Sequence, residues 1–513
     1  MKLDFAKNTK RNMLANAISS VIRLLFPFLN RTLFLWLLSA EYLGLNGLFT
    51  SILGVLTLAE LGFGTAVICS MYKPVANDDR ELICAYMKFY RTVYRYVGAA
   101  IFGIGLCLLP FLRNLVHGHV PADVNLYVLY LIHLVNTSAS YFLFAYRGSV
   151  LGAHHRNDVT TNIRSGVALV QYIVTFLILL LTRNYYLYVI ATVFFTVVQN
   201  VLLVKASRKF FPDIEPRGVL PLELRRHVLS DVKSIFMHKV GGIITHSTDN
   251  IVISAFLGLV AVAAYGNYYY VLTTVGSLVG IVYSSMTGGF GNKIYTETKE
   301  QNFLLLMRMS RMTLMITIWC AAMMMALYQP FIVMWTKNDP ELVRHALTPV
   351  LMVFYFYIMQ ARQILTTFKA AAGIWRKDRW KPIVAGAVNI VTNILLVIYL
   401  PEEYKLDGVI FSTIVGFMFI QIPWETHVVF ATFFGTRQRN IYCRMQATLL
   451  LVALLLCAAT WGAVHLVQLA GVYGILCKGA VAVMVATAGV FLVFREEFPK
   501  MIEVFSSARK HHG

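Results

Sequence analysis

Two arginines stand inside an otherwise apolar run near the start of the chain. Arg23 and Arg31 fall within residues 12–38, a stretch long and apolar enough to cross a membrane as one helix. A buried arginine costs roughly 2.5–3.5 kcal/mol on insertion scales, so two on one helix are expected to face a watery cavity or an anionic partner. Polar residues and a proline recur around them at helical spacing: Asn12, Asn16, Ser19, Ser20, Pro27 and Asn30. The pattern predicts a helix face that receives a negatively charged group.

A carboxylate and a third arginine lie in other apolar runs. Glu60 sits in the middle of the second predicted helix and is the natural counter-ion for Arg23 or Arg31 while the site is empty. Arg362 lies between two glutamines in the tenth predicted helix, deeper than snorkelling to the headgroups explains, and we expect it to line the same cavity. The alternative for Glu60 is an ion pair that only joins helices.

The seventh predicted helix carries a second polar face. Lys239, Gly242, His246 and Asp249 follow one another at spacings of three, four and three, which places them on one side of the helix. An aspartate and a histidine three residues apart can share a proton or hold a cation, as intramembrane carboxylates do when they couple transport to a gradient. We therefore expect Asp249 and His246 to bind a coupling proton or sodium ion. A structural hydrogen bond or ion pair between helices is the alternative.

The motifs of metal, nucleotide and hydrolase sites are missing. The seven cysteines include no CxxC pair, so neither disulfides nor a metal site is expected. The patterns GxxxxGK(S/T), HExxH and GxSxG are also absent, which argues against an enzyme. The formal net charge of +20 is not gathered in one patch with stacking aromatics, so no nucleic-acid partner is expected. We predict a protein without cofactor or catalytic residues.

Long apolar helices must position these polar residues. The chain has 513 residues, of which 58% are hydrophobic and 14% charged, and its mean hydropathy of +0.65 is typical of a polytopic helical membrane protein. A span needs about 20 mostly apolar residues. On that criterion the predicted spans are residues 12–38, 43–69, 86–112, 122–146, 162–182, 185–205, 233–257, 261–287, 306–332, 346–370, 381–400, 407–431, 446–468 and 473–494.

Lysine and arginine are distributed unevenly between the loops. They concentrate at the N-terminus, in the even-numbered loops and in the tail, whereas the odd-numbered loops contain few. By the positive-inside rule this alternation predicts an even number of helices with both termini in the cytoplasm. The outer loops are short. Residues 206–232 lead into the amphipathic stretch PLELRRHVLSDVKSIF, which is expected either to lie on the inner leaflet or to be an ordinary linker.

Two short motifs recur at nearly the same offset. RND at residues 156–158 and RKD at 376–378 are 220 residues apart, and LN at 45–46 and GN at 266–267 are 221 apart. Six predicted helices separate the copies, so the halves would be parallel repeats. The predicted fold is an all-α integral membrane protein of about 14 transmembrane helices, in two six-helix pseudo-repeat lobes around a central cavity with two extra C-terminal helices. The predicted parts are the N-terminal lobe 1–205, the linker 206–232, the C-terminal lobe 233–431, and the last two helices with the tail, 432–513.

Several segments resemble the bacterial polysaccharide-unit flippases of the Wzx-like branch of the multidrug/oligosaccharidyl-lipid/polysaccharide exporter superfamily. The segments that carry the resemblance are NTKRNMLANAISSVIRLLF with its continuation to GFGTAV, YRTVYRYVGA, STDNIVISAFLGLVAVAAYGNYYY and RKDRW. The resemblance implies a multi-pass protein of the bacterial cytoplasmic membrane. Its substrate would be undecaprenyl-diphosphate-linked oligosaccharides, of O-antigen, capsule or teichuronic type, moved from the inner to the outer leaflet. Its partners would be membrane lipids, a polysaccharide polymerase and other assembly proteins.

The residue pattern and the resemblance lead to one hypothesis. A diphosphate must cross about 30 Å of hydrocarbon. Arg23 and Arg31 can pair with it through charge-assisted hydrogen bonds, with Arg362 as a weaker candidate, while rocking of two lobes gives alternating access. A lipid II flippase would use similar cationic chemistry and stays open. A drug/cation antiporter predicts an acidic cavity, and a membrane-embedded polymerase or ligase a large external loop, so both fit this sequence less well.

Overall fold

The computed structural model describes residues 5–60, 62–143, 145–374, 376–469, 471–495 and 497. Every regular element among these residues is a helix. In a membrane each backbone N–H and C=O must be hydrogen-bonded within the protein, and a helix achieves this within a single segment. The predicted all-α fold class is confirmed for the described part of the chain.

The chain divides into two compact units, Met1–Ala263 and Ala264–Gly513. The α-helices of the first unit are α1 Phe5–Leu37, α2 Ala40–Leu56, α3 Phe63–Ala76, α4 Arg80–Cys107, α5 Leu126–Phe142, α6 Gly148–Ala153, α7 Asn157–Thr182, α8 Tyr185–Phe210 and α9 Leu222–Leu257. Short 3-10 helices lie at Thr57–Glu60, Leu109–Leu115 and Ala145–Arg147.

The next helix, α10 Leu259–Thr296, begins in the first unit and continues into the second. The remaining α-helices are α11 Lys299–Trp335, α12 Leu347–Ala361, α13 Gln363–Ala371, α14 Lys381–Tyr399, α15 Lys405–Val415, α16 Ile422–Val429, α17 Thr436–His465 and α18 Gly471–Val493. Two 3-10 helices lie at Arg376–Asp378 and Glu402–Tyr404, and two π-helical stretches at Gly416–Gln421 and Phe430–Phe434.

In the first unit α1 packs along α7, and α9 packs along α2. The Asn30 side-chain amide donates to the Thr175 hydroxyl at 3.1 Å, and the Asn250 amide donates to the Ser51 hydroxyl at 2.8 Å. The predicted seventh span therefore packs in the first compact unit, and the lobe boundaries drawn from the sequence stay a prediction. Because α9 begins at Leu222, the amphipathic stretch before that span is continuous with it.

Several of the predicted spans are interrupted. The second breaks at Gly62, whose φ of +98° lies in the left-handed region that glycine adopts at least cost. The tenth breaks at Arg362, between α12 and α13. The twelfth contains a π-helical stretch before α16 and the beginning of a second one after it. Pro423, in the first turn of α16, has no N–H, and its ring crowds the carbonyl four residues earlier, which the wider π turn relieves.

Seven described helices are long and apolar enough to cross a membrane, and a bent pair, Arg80–Cys107 with Leu109–Leu115, could form an eighth span. The two axes of that pair differ by 60°. Each predicted span overlaps a described helical stretch. The chain is therefore a multi-pass membrane protein.

Candidate functional site

Arg23 lies on the polar side of α1, and its side chain is exposed. At about 100° per residue, it shares a face with the buried residues Ser19 and Asn30. The exposed apolar residues Leu25 and Leu29 lie roughly 200–240° further round the helix. The Nε of Arg23 donates to the Ser19 carbonyl at 3.3 Å. Arg23 therefore lies on the side of α1 that packs against protein. The exposed apolar stripe, which is the side suited to contact with lipid, lies on the opposite side.

Arg31 lies about two turns further along α1; it is half-buried and interacts with its neighbours. Both arginines lie near tyrosines of adjacent helices, because Tyr172 of α7 interacts electrostatically with Arg23, and Tyr188 of α8 with Arg31. Asn30, between them in sequence, donates to the Tyr172 carbonyl at 3.3 Å. The structure thus brings both predicted arginines to the region where α1 meets α7 and α8.

Glu60 ends the short 3-10 helix after α2 and is bound by tyrosines. Tyr94 and Tyr141 donate to its two carboxylate oxygens, and Tyr90 donates to the Tyr94 oxygen at 2.6 Å. The expected pairing of Glu60 with an arginine of α1 is therefore not what the described contacts show. The physical reason is that α2 ends at Leu56 and the 3-10 helix Thr57–Glu60 follows it, which places the carboxylate beside Tyr94 of α4 and Tyr141 of α5.

Asp249 is fully buried on α9 and interacts with other groups of the protein. On the adjoining face of the helix, Asn250 binds Ser51 of α2. His246 belongs to the same helical run, but its side chain lies outside the described residues. The coupling role of Asp249 and His246 stays a prediction.

Arg362 is neutralised by a carboxylate of its own unit. Its Nη2 and Nε donate to the two oxygens of Glu425 at 2.6 and 3.1 Å, which is the bidentate geometry that guanidinium and carboxylate favour. The guanidinium also lies over the Phe417 ring, 5.0 Å from its centre. The Arg362 side chain is 18% exposed, whereas that of Glu425 is fully buried.

Two lysines share the same carboxylate. Lys381 donates to Glu425, and the Lys369 amine lies 3.6 Å from the same oxygen. Lys369 also donates to Asp378, whose carboxylate lies 3.3 Å from the amine of Lys381. Together with Arg362 these residues form one group of three cations and two carboxylates, here named the Glu425 network. The network connects four parts of the chain: the break after α12, helix α13, the start of α14 and helix α16.

The Glu425 network holds more positive than negative charge in a nearly dry place, since all its members except Arg362 are almost fully buried. Oδ1 of Asp378 accepts no hydrogen bond from the described residues. A buried ion that loses its partner costs several kcal/mol, so each member depends on the others. The arrangement can fix the relative positions of four chain segments, and its excess charge favours anions nearby.

Sequence reasoning singles out Arg362 but misses its partners. Glu425 follows a proline in the apolar run IQIPWETHVVF, and Lys369 is the only charged residue of α13. A lone carboxylate inside a predicted span is a signal that could have found Glu425. Its partner Arg362 is 63 residues away, and no local spacing indicates that pairing.

Comparisons with known proteins agree with this architecture. Residues 9–286 match the family described as polysaccharide biosynthesis protein. No curated protein matches the chain in sequence. The solved structure of the lipid II flippase MurJ in an inward closed conformation is similar, with a TM-score of 0.67, 15% identity, and coverage of 94% of this chain and 99% of that one.

A second similar structure is an inward-facing multidrug resistance MATE family transporter of the MOP superfamily. Its TM-score is 0.57 at 14% identity, covering 80% of this chain and 98% of that one. At identities this low, similarity of structure establishes the fold alone. The matched family covers more than half of the chain. The resemblance read from the sequence is thereby confirmed: the chain belongs to the polysaccharide biosynthesis protein family and has the fold of the MOP-superfamily transporters.

Proposed function

We propose that this protein is a flippase that moves undecaprenyl-diphosphate-linked oligosaccharides from the cytoplasmic to the outer leaflet of the bacterial cytoplasmic membrane. The family supports a place in polysaccharide biosynthesis, and the fold supports transport by alternating access. Both termini would lie in the cytoplasm. The delivered units would pass to a polymerase and other assembly proteins.

The observation that carries the proposal is the exposure of Arg23 on the polar side of α1. An arginine in a membrane-spanning helix normally snorkels to the headgroups or is paired. Arg23 instead shares its face with buried Ser19 and Asn30 and is still an exposed residue. A hydrated space beside α1 accounts for both facts, and it is where a phosphorylated headgroup would be received.

A diphosphate offers several oxygens to guanidinium groups, which bind phosphate in a bidentate manner. Arg23 and Arg31 lie on one helix and near one seam, so they form the proposed diphosphate site. Arg362 and Glu60 take a lesser part in the proposal, because Glu425 and two tyrosines already bind them. The sugars need only water, and the prenyl chain can stay in the lipid.

Lipid II is the second candidate substrate. The MurJ structure, which is that of a lipid II flippase, covers 94% of this chain. Lipid II carries the same class of headgroup, a diphosphate with sugars, so the arginines serve either substrate equally well. The matched family favours the polysaccharide substrate.

Energy for the cycle would come from an ion gradient through Asp249 and His246. Asp249 is fully buried on α9, and ionisable residues inside membrane spans are often part of proton or ion pathways. If flipping by the purified protein in vesicles is indifferent to both the proton and the sodium gradient, this part of the proposal is wrong.

The proposed substrate site is tested in a strain that lacks the gene. Such a strain should accumulate lipid-linked repeat units on the inner leaflet and lose its surface polysaccharide. Complementation with Arg23→Gln should lower export by roughly 10–150-fold, because a hydrogen bond to a charged group contributes about 1.5–3 kcal/mol. The amount of protein in the membrane fraction should be unchanged.

The matched control is Arg183→Gln, which removes an exposed arginine from the turn between α7 and α8. It should export normally. Full export by Arg23→Gln would remove the proposed site. Normal surface polysaccharide in the deletion strain, together with arrested cell-wall synthesis, would instead favour lipid II as the substrate.

A further inference from the structure

A second basic site lies in the second unit and is formed by residues that have no part in the proposed transport site. Helices α11, α17 and α18 surround a cavity of about 950 Å³. Its described lining includes four arginines and one acidic residue: Arg311, Arg437, Arg444, Arg495 and Glu497. Arg311 donates to Glu497 at 3.0 Å, so one of the four positive charges is neutralised within the cavity. Three guanidinium groups are left as excess positive charge.

Apolar side chains border these arginines. Leu492 is 76% exposed, and Val493 and Ile441 are about half exposed, although all three line the same cavity. Large exposed apolar residues at a helix end suit hydrocarbon, and the arginines beside them suit the headgroup layer. The cavity thus has basic side chains that suit a lipid headgroup and apolar side chains that suit its acyl chains.

The cavity also lies at one end of its three helices. Arg437 belongs to the first turn of α17, Arg495 follows the end of α18, and Arg311 lies in the first half of α11. The charge distribution of the loops predicts that this end faces the cytoplasm, where the leaflet is rich in anionic lipid.

We infer that this cavity binds the phosphate headgroup of an acidic phospholipid from the cytoplasmic leaflet, with the acyl chains along Leu492, Val493 and Ile441. Guanidinium groups bind a phosphodiester through paired hydrogen bonds. Glu497 holds Arg311 and moderates the charge of the site. The inference does not depend on the proposed transport substrate, because its test measures lipid binding rather than export.

The test is native mass spectrometry of the full chain released from nanodiscs that contain phosphatidylcholine and phosphatidylglycerol. The native protein should retain phosphatidylglycerol selectively. Each of Arg437→Gln and Arg444→Gln should weaken retention about fivefold, and the double variant roughly 25-fold, since a basic residue near an anionic surface contributes about that factor. Glu497→Gln should strengthen retention, because it removes the only acidic residue of the described lining.

Arg439→Gln is the matched control. Arg439 lies in the same turn of α17 as Arg437, but on a different face, and it does not line the cavity. Retention should be unchanged in this variant. Native-like retention by the double variant, or an equal loss in Arg439→Gln, would overturn the inference. So would displacement of the lipid by millimolar inorganic phosphate, which would make the site one for free phosphate, or preference for added undecaprenyl diphosphate over phosphatidylglycerol.

Discussion

Two helix ends, one in each unit, have the same backbone conformation, but the charged side chains around them are arranged differently. After α6, His155 adopts the left-handed conformation with φ of 57°, and the Arg156 N–H donates to the Leu151 carbonyl at 2.8 Å. After α13, Gly373 adopts φ of +67°, and the Ile374 N–H donates to the Lys369 carbonyl at 3.2 Å. Both are Schellman turns, with a hydrogen bond that spans six residues. An Arg-x-Asp tripeptide begins within the first turn, at Arg156, and two residues after Ile374 of the second, at Arg376.

The charges around these turns are arranged in opposite ways. In the first unit Asp158 is bound by Arg156, two residues away, at 2.9 Å. Arg147, which is only 2% exposed, is bound by Glu215, whose side chain is 46% exposed and also lies 3.6 Å from Arg208. In the second unit Asp378 belongs to the buried Glu425 network. The first unit thus uses ion pairs in which one member is buried and the other partly exposed, and the second unit gathers its charges in one buried group.

This difference separates two roles of a buried charge. A pair that reaches solvent can lose one member and be rehydrated, so it contributes little to stability. A network without access to water must keep all its members, because any unpaired ion stays in a medium of low polarity. We expect the second turn to be held in place by charge and the first mainly by its backbone and packing.

The largest loss of stability is expected for Glu425→Gln. The variant keeps the shape of the side chain but leaves Arg362, Lys369 and Lys381 with Asp378 as the remaining carboxylate among the described members of the network. Loss of one partner from a buried ion pair typically costs about 3–5 kcal/mol in the free energy of unfolding. Reversible denaturation of the purified protein in detergent would measure it.

Its control is Glu403→Gln, a change of the same charge at an exposed position near the outer end of α15. We expect a change within about 0.5 kcal/mol there. If Glu425→Gln were as mild as its control, the network would not stabilise the second unit, and the contrast between the two turns would disappear.

A smaller effect is expected for Glu215→Gln in the first unit. The hydrogen bond from Arg147 holds the pKa of Glu215 below its ordinary value of 4.5. The stabilisation is therefore fully present above pH 4.5 and is lost as the pH falls through the lower pKa of the folded state. At neutral pH we expect the variant to lose about 1–3 kcal/mol, because buried Arg147 loses its charged partner while the partly exposed position of Glu215 can be rehydrated.

The measurement is the difference in unfolding free energy between native protein and Glu215→Gln as a function of pH. That difference should shrink below pH 4.5 and vanish in stronger acid. A difference that stays constant across this range would mean that Glu215 acts by packing rather than by charge.

The smallest effects are expected at the left-handed residues of the two turns. Gly373→Ala should cost about 1 kcal/mol from backbone strain alone, because no described atom lies within 4 Å of an added Cβ. His155→Gly should change stability by less than about 0.5 kcal/mol, since relief of strain offsets the lost stacking on Tyr72. Thermal unfolding in detergent compares them, and a large loss only at His155 would show that the two turns are not equivalent.

The helices of this fold could be predicted from hydropathy, because a membrane permits few alternatives to a continuous apolar helix. Arg23 could also be found, since a charge in an apolar run is conspicuous whatever the fold. The repeated Arg-x-Asp motif predicts a duplication, which stays a prediction, because the left-handed residues of the two turns, His155 and Gly373, do not share the 220-residue offset of the motifs.

The partners of the charged residues could not be predicted in the same way. Pairing depends on the rotation of each helix and on contacts between residues far apart in sequence. Apolar spacing predicts an arginine partner for Glu60, whereas Tyr94 and Tyr141 bind it. The carboxylate that binds Arg362, Glu425, lies 63 residues away, and no local spacing predicts that pair. Breaks and π turns shift the rotation of a helix by amounts that hydropathy does not record.

The π-helical stretch before α16 makes the orientation of Glu425 depend on the number of residues that precede it. A π stretch accommodates one residue more than an α-helix of the same length, which rotates everything after it by roughly 100°. Because Gly416–Gln421 precedes α16, the direction of Glu425 depends on how many residues stand upstream as well as on which they are. Deletion of a single residue from Gly416–Gln421 would rotate the Glu425 carboxylate away from both lysines. Exchange of one apolar side chain for another in this stretch would leave the direction of the carboxylate unchanged. Changes in chain length are therefore the mutations to which this helix is most sensitive.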